Sequence, residues 1–241
     1  MKQTVSIFRT APRARYTAIT ALVLSITLTA CQPDEAPVAP DPAPQDVYFD
    51  RLSKLCGKAF SGKMVSDQEA DADMVDRPMI MHVAKCSPNE IQIPFHVGPS
   101  ETEGADGQWD RSRTWIITRT EGGETTGLRL KHRHRHEDGS LDSSTNYGGD
   151  TVSQGTASQG TAERQEFPVD DESIALFKAE GLDQSITNIW AVEVSAPGTD
   201  DARFAYELRR PPVSDTEEGR LFRVEFDISQ PVPAPPPPWG D

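Results

Sequence analysis

Residues 127–147 read GLRLKHRHRHEDGSLDSSTNY. Leu128, Leu130, His132, His134 and His136 share one parity, and Arg129, Lys131, Arg133 and Arg135 share the other. On a strand, successive side chains point to opposite faces. Two leucines and three histidines therefore face one way and four cations face the other. Burying the two leucines gains roughly 3–6 kcal/mol, whereas burying unpaired cations costs more. The Leu/His face is predicted to be the inner one. Asp138-Gly139 predicts a two-residue hairpin turn. In that register His136 faces Leu141, His134 faces Ser143, His132 faces Thr145 and Leu130 faces Tyr147.

Period-two alternation recurs outward from this hairpin. Phe204, Tyr206 and Leu208 alternate with Glu207 and Arg209, and Phe222, Val224, Phe226 and Ile228 alternate with Arg223, Glu225 and Asp227. Such patterns mean antiparallel sheet with one wet face. Further strands are expected over 79–85, 91–97, 113–119, 127–136, 141–147, 186–194, 203–209 and 220–228. Short helices are expected over 46–56, ended by Gly57, and after Pro168, capped by Asp170 or Asp171 and ended by Gly181. The fold class is mainly β: an antiparallel meander, as an up-and-down barrel or a two-sheet sandwich, with one or two short helices. The outline resembles a lipocalin-type barrel. Trp115 and Trp190 read as core.

The N-terminus carries an address. Lys2, Arg9, Arg13 and Arg15 precede an apolar run from Ala18 to Leu28, with no acidic residue before Asp34. That run has the size of a signal-peptide core and falls short of the roughly 20 residues that cross a bilayer. It ends in Leu28-Thr29-Ala30-Cys31, which resembles the lipobox of bacterial lipoprotein precursors. The resemblance implies cleavage before Cys31, acylation of its thiol and anchoring in a membrane of the cell envelope. Gln32, where the family places aspartate for retention, implies the outer membrane. The expected organisation is a signal peptide over 1–30, a proline-rich tether over 31–45, one β-rich domain over 46–230 and a proline-rich tail over 231–241. That tail reads as laid over the domain, with a polyproline ligand as the alternative. Ser153–Ala157 repeats as Ser158–Ala162, a loop of small polar residues.

With the leader removed, 20 Lys and Arg stand against 38 Asp and Glu, a net charge of −18. That argues against nucleic acid as a partner and leaves the lipid anchor as the route to the membrane. Cys56 and Cys86 remain after Cys31, an even number that reads as one structural disulfide.

Function is written less clearly. His132, His134 and His136 are candidate ligands for a divalent transition metal, since histidines two apart on a strand can chelate. Ser143, Thr145 and Tyr147 would line the same face as candidate ligand-binding hydroxyls. No cofactor is required by any motif. There is no nucleophile elbow, phosphate loop, Cys-x-x-Cys or His-Glu-x-x-His, so catalysis is not the leading expectation. Three classes follow: a non-catalytic binding or structural lipoprotein, a metal- or small-ligand-binding barrel centred on the histidine strand, and a metal-dependent hydrolase using the same histidines.

Overall fold

The computed structural model describes residues 41–104, 107–120, 127–151, 160–212 and 218–241. The expected signal peptide, Cys31, most of the expected tether and the first copy of the repeat lie outside them. Among the described residues eleven strands form one sheet. They are β1 (Ala59–Met64), β2 (Met79–His82), β3 (Lys85–Cys86), β4 (Glu90–Val97), β5 (Asp110–Thr120) and β6 (Gly127–His134). β7 (Tyr147–Asp150), β8 (Arg164–Pro168), β9 (Ile189–Val194), β10 (Arg203–Arg210) and β11 (Arg220–Asp227) complete it. The helices are α1 (Pro44–Ser53) and α2 (Asp171–Ala179), with two 3-10 segments, Glu69–Met74 and Asp183–Thr187.

The strand order is β7-β6-β5-β4-β2-β1-β11-β10-β9-β8, with β3 also on β4. All the pairings are antiparallel, and the first strand pairs with the last: Gly62 lies opposite Phe226. This is a meander that curls into a nearly closed barrel, not a sandwich. The remaining seam, between β7 and β8, is joined by a bridge from Gly149 to Val169 and by the Asp170 amide donating to the Gly148 carbonyl at 3.1 Å. Lys131, on the outside of β6, reaches across β7 to Asp170 at 2.9 Å and Glu172 at 2.8 Å. Asp170 is also the N-cap of α2, accepting from the Ser173 amide, so cap and seam share one carboxylate.

The inner face is filled. Phe60, Ile91, Ile93, Ile117, Leu128, Leu130, Phe167, Trp190, Phe204, Val224 and Phe226 are all buried. Each such side chain contributes about 1.5–3 kcal/mol by leaving water. Tyr48, Phe49 and Leu52 of α1 belong to this core. Arg119, near the end of β5, lies over the Phe49 ring at 4.3 Å and pairs with Asp46. The helix therefore plugs the end of the barrel where β5 finishes. The Cys56–Cys86 disulfide, with α-carbons 6.3 Å apart, ties the chain just after α1 to β3. Closing a loop of that length stabilises by roughly 3.5 kcal/mol in the chain-entropy model.

The outer face of β8–β11 carries the charges that the alternation placed there. Arg164 pairs with Glu193 and Glu207, and Arg223 with Glu193, Glu207 and Glu225. Hydrogen bonds from Arg223, and then from Arg164, pull the Glu193 pKa down to about 2 despite its partial burial. From β1 to β5 the C-terminal tail crosses the outside of the strands. The Val232 amide bonds the Ala59 carbonyl, Arg111 donates to the Pro237 carbonyl at 2.8 Å, and the Asp241 carboxylate meets Lys85 at 2.7 Å.

Two strands have no counterpart in the alternation. β1 contains Ser61, Gly62 and Lys63, weak strand formers, and is held because β2 and β11 pair with it on both sides. β8 is short and ends in Pro168. The expected strand 79–85 is split into β2 and β3, because the Val83 amide and carbonyl bond to Lys58 and Gly57 instead of to β4. The expected strand 141–147 is replaced by a loop and the shorter β7.

Gly149 makes the seam narrow: a β-carbon placed there would stand 1.9 Å from the Pro168 carbonyl oxygen. Gly149→Ala should therefore force β7 and β8 apart and cost about 1–3 kcal/mol, as overpacking does. Thermal unfolding measures this, and an unchanged Tm would remove the seam's role in stability.

Candidate functional site

The histidine strand is β6, and its inward parity holds for four positions. Leu128 and Leu130 are fully buried, His132 is 3 % exposed and His134 is half-buried. His136 departs: it lies past the end of β6 and is exposed. The cause is the turn. The Gly139 amide bonds the His136 carbonyl and the His136 amide bonds the Ser140 carbonyl, so the loop is Glu137-Asp138-Gly139. Gly139 has φ +86°. This is the three-residue hairpin with a left-handed glycine, not the two-residue turn. Arg135 accordingly faces Leu141 and not Asp142.

A second shift follows. His132 faces Tyr147 and Leu130 faces Gly149, so residues 142–146 bulge out of the ladder. Their short polar side chains compete for the backbone: the Asp142 carboxylate accepts from the Ser144 amide and the Thr145 hydroxyl accepts from the His134 amide. Ser143 is exposed, its hydroxyl on Glu180 at 3.0 Å. Ser143 and Thr145 thus do not line the histidine face, while Tyr147 does.

His132, His134 and Tyr147 meet at the end of the barrel opposite α1, beside a cavity of about 180 Å³. The His132 ring stacks on Tyr147 with centroids 4.8 Å apart. Its Nδ1 lies 3.1 Å from the Tyr147 carbonyl and its Nε2 lies 2.8 Å from the Tyr206 hydroxyl. A carbonyl can only accept, so Nδ1 carries the proton and Nε2 accepts from Tyr206. Both nitrogens of His132 are thereby committed. The Tyr147 hydroxyl pairs with His134 Nε2 at 3.1 Å. Burial pushes the His132 pKa down to about 3, with His134 adding to it, and burial together with Arg113 pushes the His134 pKa down to about 4. Burial raises the Tyr147 phenol to about 12. Near neutral pH the cluster is uncharged.

Around it stand aromatic rings and two arginines. Trp115 is sandwiched between Phe95 and Tyr206, at 4.9 and 4.4 Å. Phe222 and Leu208 complete the apolar wall, with Asp71 and Met74 from the 3-10 segment. Arg113 and Arg220 also line the cavity. Asp71, 2 % exposed, receives both terminal nitrogens of Arg220. Arg113 pairs with Asp110. The signal for these arginines was present in the sequence: Arg113 shares parity with Trp115 and Ile117, and Arg220 with Phe222 and Val224. A cation at an inward position near the end of a strand belongs at the mouth of a barrel.

Among the described residues no three His, Cys, Asp or Glu side chains gather to hold a metal ion. His82 and His96, on β2 and β4, do not join the β6 histidines. His96 is fully buried on the tail-crossed wall, with neither ring nitrogen bonded. A larger concavity, of about 580 Å³ between β1, β11 and residues 200–203, is open and apart from these groups. Among the described residues no helix is long and apolar enough to cross a membrane.

No family model, curated protein or solved structure matches the chain. The site is therefore read from its own geometry.

Because the pKa values of His132 and His134 lie below the usual 6.5, the unfolded chain takes up protons first as pH falls. Their contribution to stability is complete above about pH 6.5 and is lost as pH drops through 4 toward 3. Histidine ring resonances followed by NMR should show no titration of either residue between pH 7 and 5. A midpoint near 6.5 for His132 would contradict its buried pairing with Tyr206.

Proposed function

We propose that the chain is an envelope lipoprotein, anchored through Cys31 in the outer membrane, whose barrel is a non-catalytic binding module for a small molecule. The observation that carries the binding half is the cavity of about 180 Å³ in a barrel otherwise filled by side chains. Ligand sites are concave, mostly apolar and fitted with a few placed polar groups. His134, Tyr147, Tyr206 and Arg113 are such groups here. Metal binding finds less support than a small organic ligand, since His132 has no nitrogen to offer and His136 lies outside the barrel.

The anchoring half rests on the lipobox and the tether. Cys31→Ala should move the protein from the membrane pellet to the soluble envelope fraction, or leave the leader uncut. Undiminished membrane retention of a cleaved Cys31→Ala chain would refute the anchor.

For the cavity, ligand-observed NMR with a panel of single-ring solutes should detect saturation transfer from the wild type. It should detect none from Leu208→Trp, which fills the space. Equal transfer from both would place binding elsewhere, and no transfer from the wild type would end the small-ligand reading.

A further inference from the structure

We infer that the cavity selects a single-ring aromatic monoanion, with the ring among Trp115, Tyr206 and Phe222 and the anionic group on Arg113; this rests on the small-ligand reading above. Size sets the first limit. An apolar protein cavity of about 150 Å³ accepts benzene, and this one is about 180 Å³. One ring with one small substituent fills a space of that size.

Wall chemistry sets the second. Both faces of Trp115 are covered, by Phe95 and by Tyr206 at interplanar angles of 12°. What Trp115 can offer a ligand is its edge. Ring edges are the positive part of the aromatic quadrupole and pack best against the face of another ring. Phe222 already meets Tyr206 edge-on, at 6.2 Å and 67°. A planar aromatic ligand extends that pattern.

The third limit is charge. Two cations and one carboxylate line the cavity, and its histidines are neutral. The carboxylate, Asp71, is spent on both terminal nitrogens of Arg220, whose Nη1 also donates to Gln68 and the Leu221 carbonyl. Arg113 is different. Its Nη1 meets Asp110, which does not line the cavity, and it makes no other hydrogen bond among the described residues. Nε and Nη2 remain as donors. On β5, Arg113 lies opposite both Phe95 and His134, at the junction of the aromatic wall and the His–Tyr cluster. Asp110 fixes the guanidinium while leaving part of its fork open, the arrangement that suits a carboxylate.

The test compares three probes by calorimetry at pH 7: benzoate, the neutral benzamide and the non-aromatic hexanoate. Wild type should bind benzoate at least ten-fold more tightly than either of the others. Arg113→Gln should lose ten-fold or more in benzoate affinity and so bring benzoate and benzamide together, whereas Arg113→Lys, which keeps the charge but not the fork, should retain part of the preference. Leu208→Trp should abolish all binding. Equal benzoate and benzamide affinity in wild type, both lost in Leu208→Trp, overturns the anion assignment while leaving the cavity as a binding site. Hexanoate equal to benzoate overturns the aromatic assignment. Absence of all three heats from folded wild type, with no saturation transfer from the solute panel, fails the small-ligand reading itself.

Discussion

Everything in this molecule depends on the pairing of β1 with β11. A sheet edge presents a row of unsatisfied amides and carbonyls, and closure is what removes it. Once Gly62–Met64 lies against Val224–Phe226, each strand has an inside and an outside. The parity of every strand then becomes a placement. Large apolar side chains go in, the Arg164–Glu193–Arg223 network stays out, and α1 has an open end to plug.

Closure also accounts for where chemistry can occur. The end near α1 is sealed by Tyr48, Phe49 and Leu52 and held by Arg119 and the Cys56–Cys86 bridge. At the other end the strands start or finish with polar residues on their inward positions: Arg113 on β5, His134 on β6, Arg220 on β11. Apolar filling stops there, and the space left over is bounded by groups that hydrogen-bond. The His132–Tyr206 and His134–Tyr147 pairs satisfy one another without charge. That neutral arrangement lets imidazoles sit where a cation would be costly.

Much of this was legible in the residues. The alternation over Phe204–Leu208 and Phe222–Phe226 fixed strand type and inner face without reference to neighbours. Leu128 and Leu130 oriented His132 and His134 correctly, and Asp170 and Gly181 marked the limits of α2. The even cysteine count specified the bridge. What failed was the counting of residues across turns. Asp138-Gly139 supports both a two- and a three-residue loop, and the polar run Asp142–Asn146 holds itself by side-chain bonds to backbone. Each slip moves candidates off a face, and so His136, Ser143 and Thr145 were lost to the site. β1 and β8 were illegible for another reason: their strand character comes from the partners on either side and not from Ser61, Gly62 or Pro168. The arginines of the mouth are hard to read because an inward cation contradicts the rule that reads a strand's interior, and that rule lapses at a barrel's end.

The β1–β11 pairing joins residues about 160 positions apart. A polypeptide grows from its N-terminus, so β1 must wait until β11 has been made. Until then the edge of β1 that β11 will cover is available to any other strand. Contacts so distant in sequence make for slow folding, and an unpaired strand edge during that interval invites association with neighbouring chains. The closed barrel is thus the product of its last strand, and a chain truncated before Arg220 would keep most of the residues of the interior yet present two open edges.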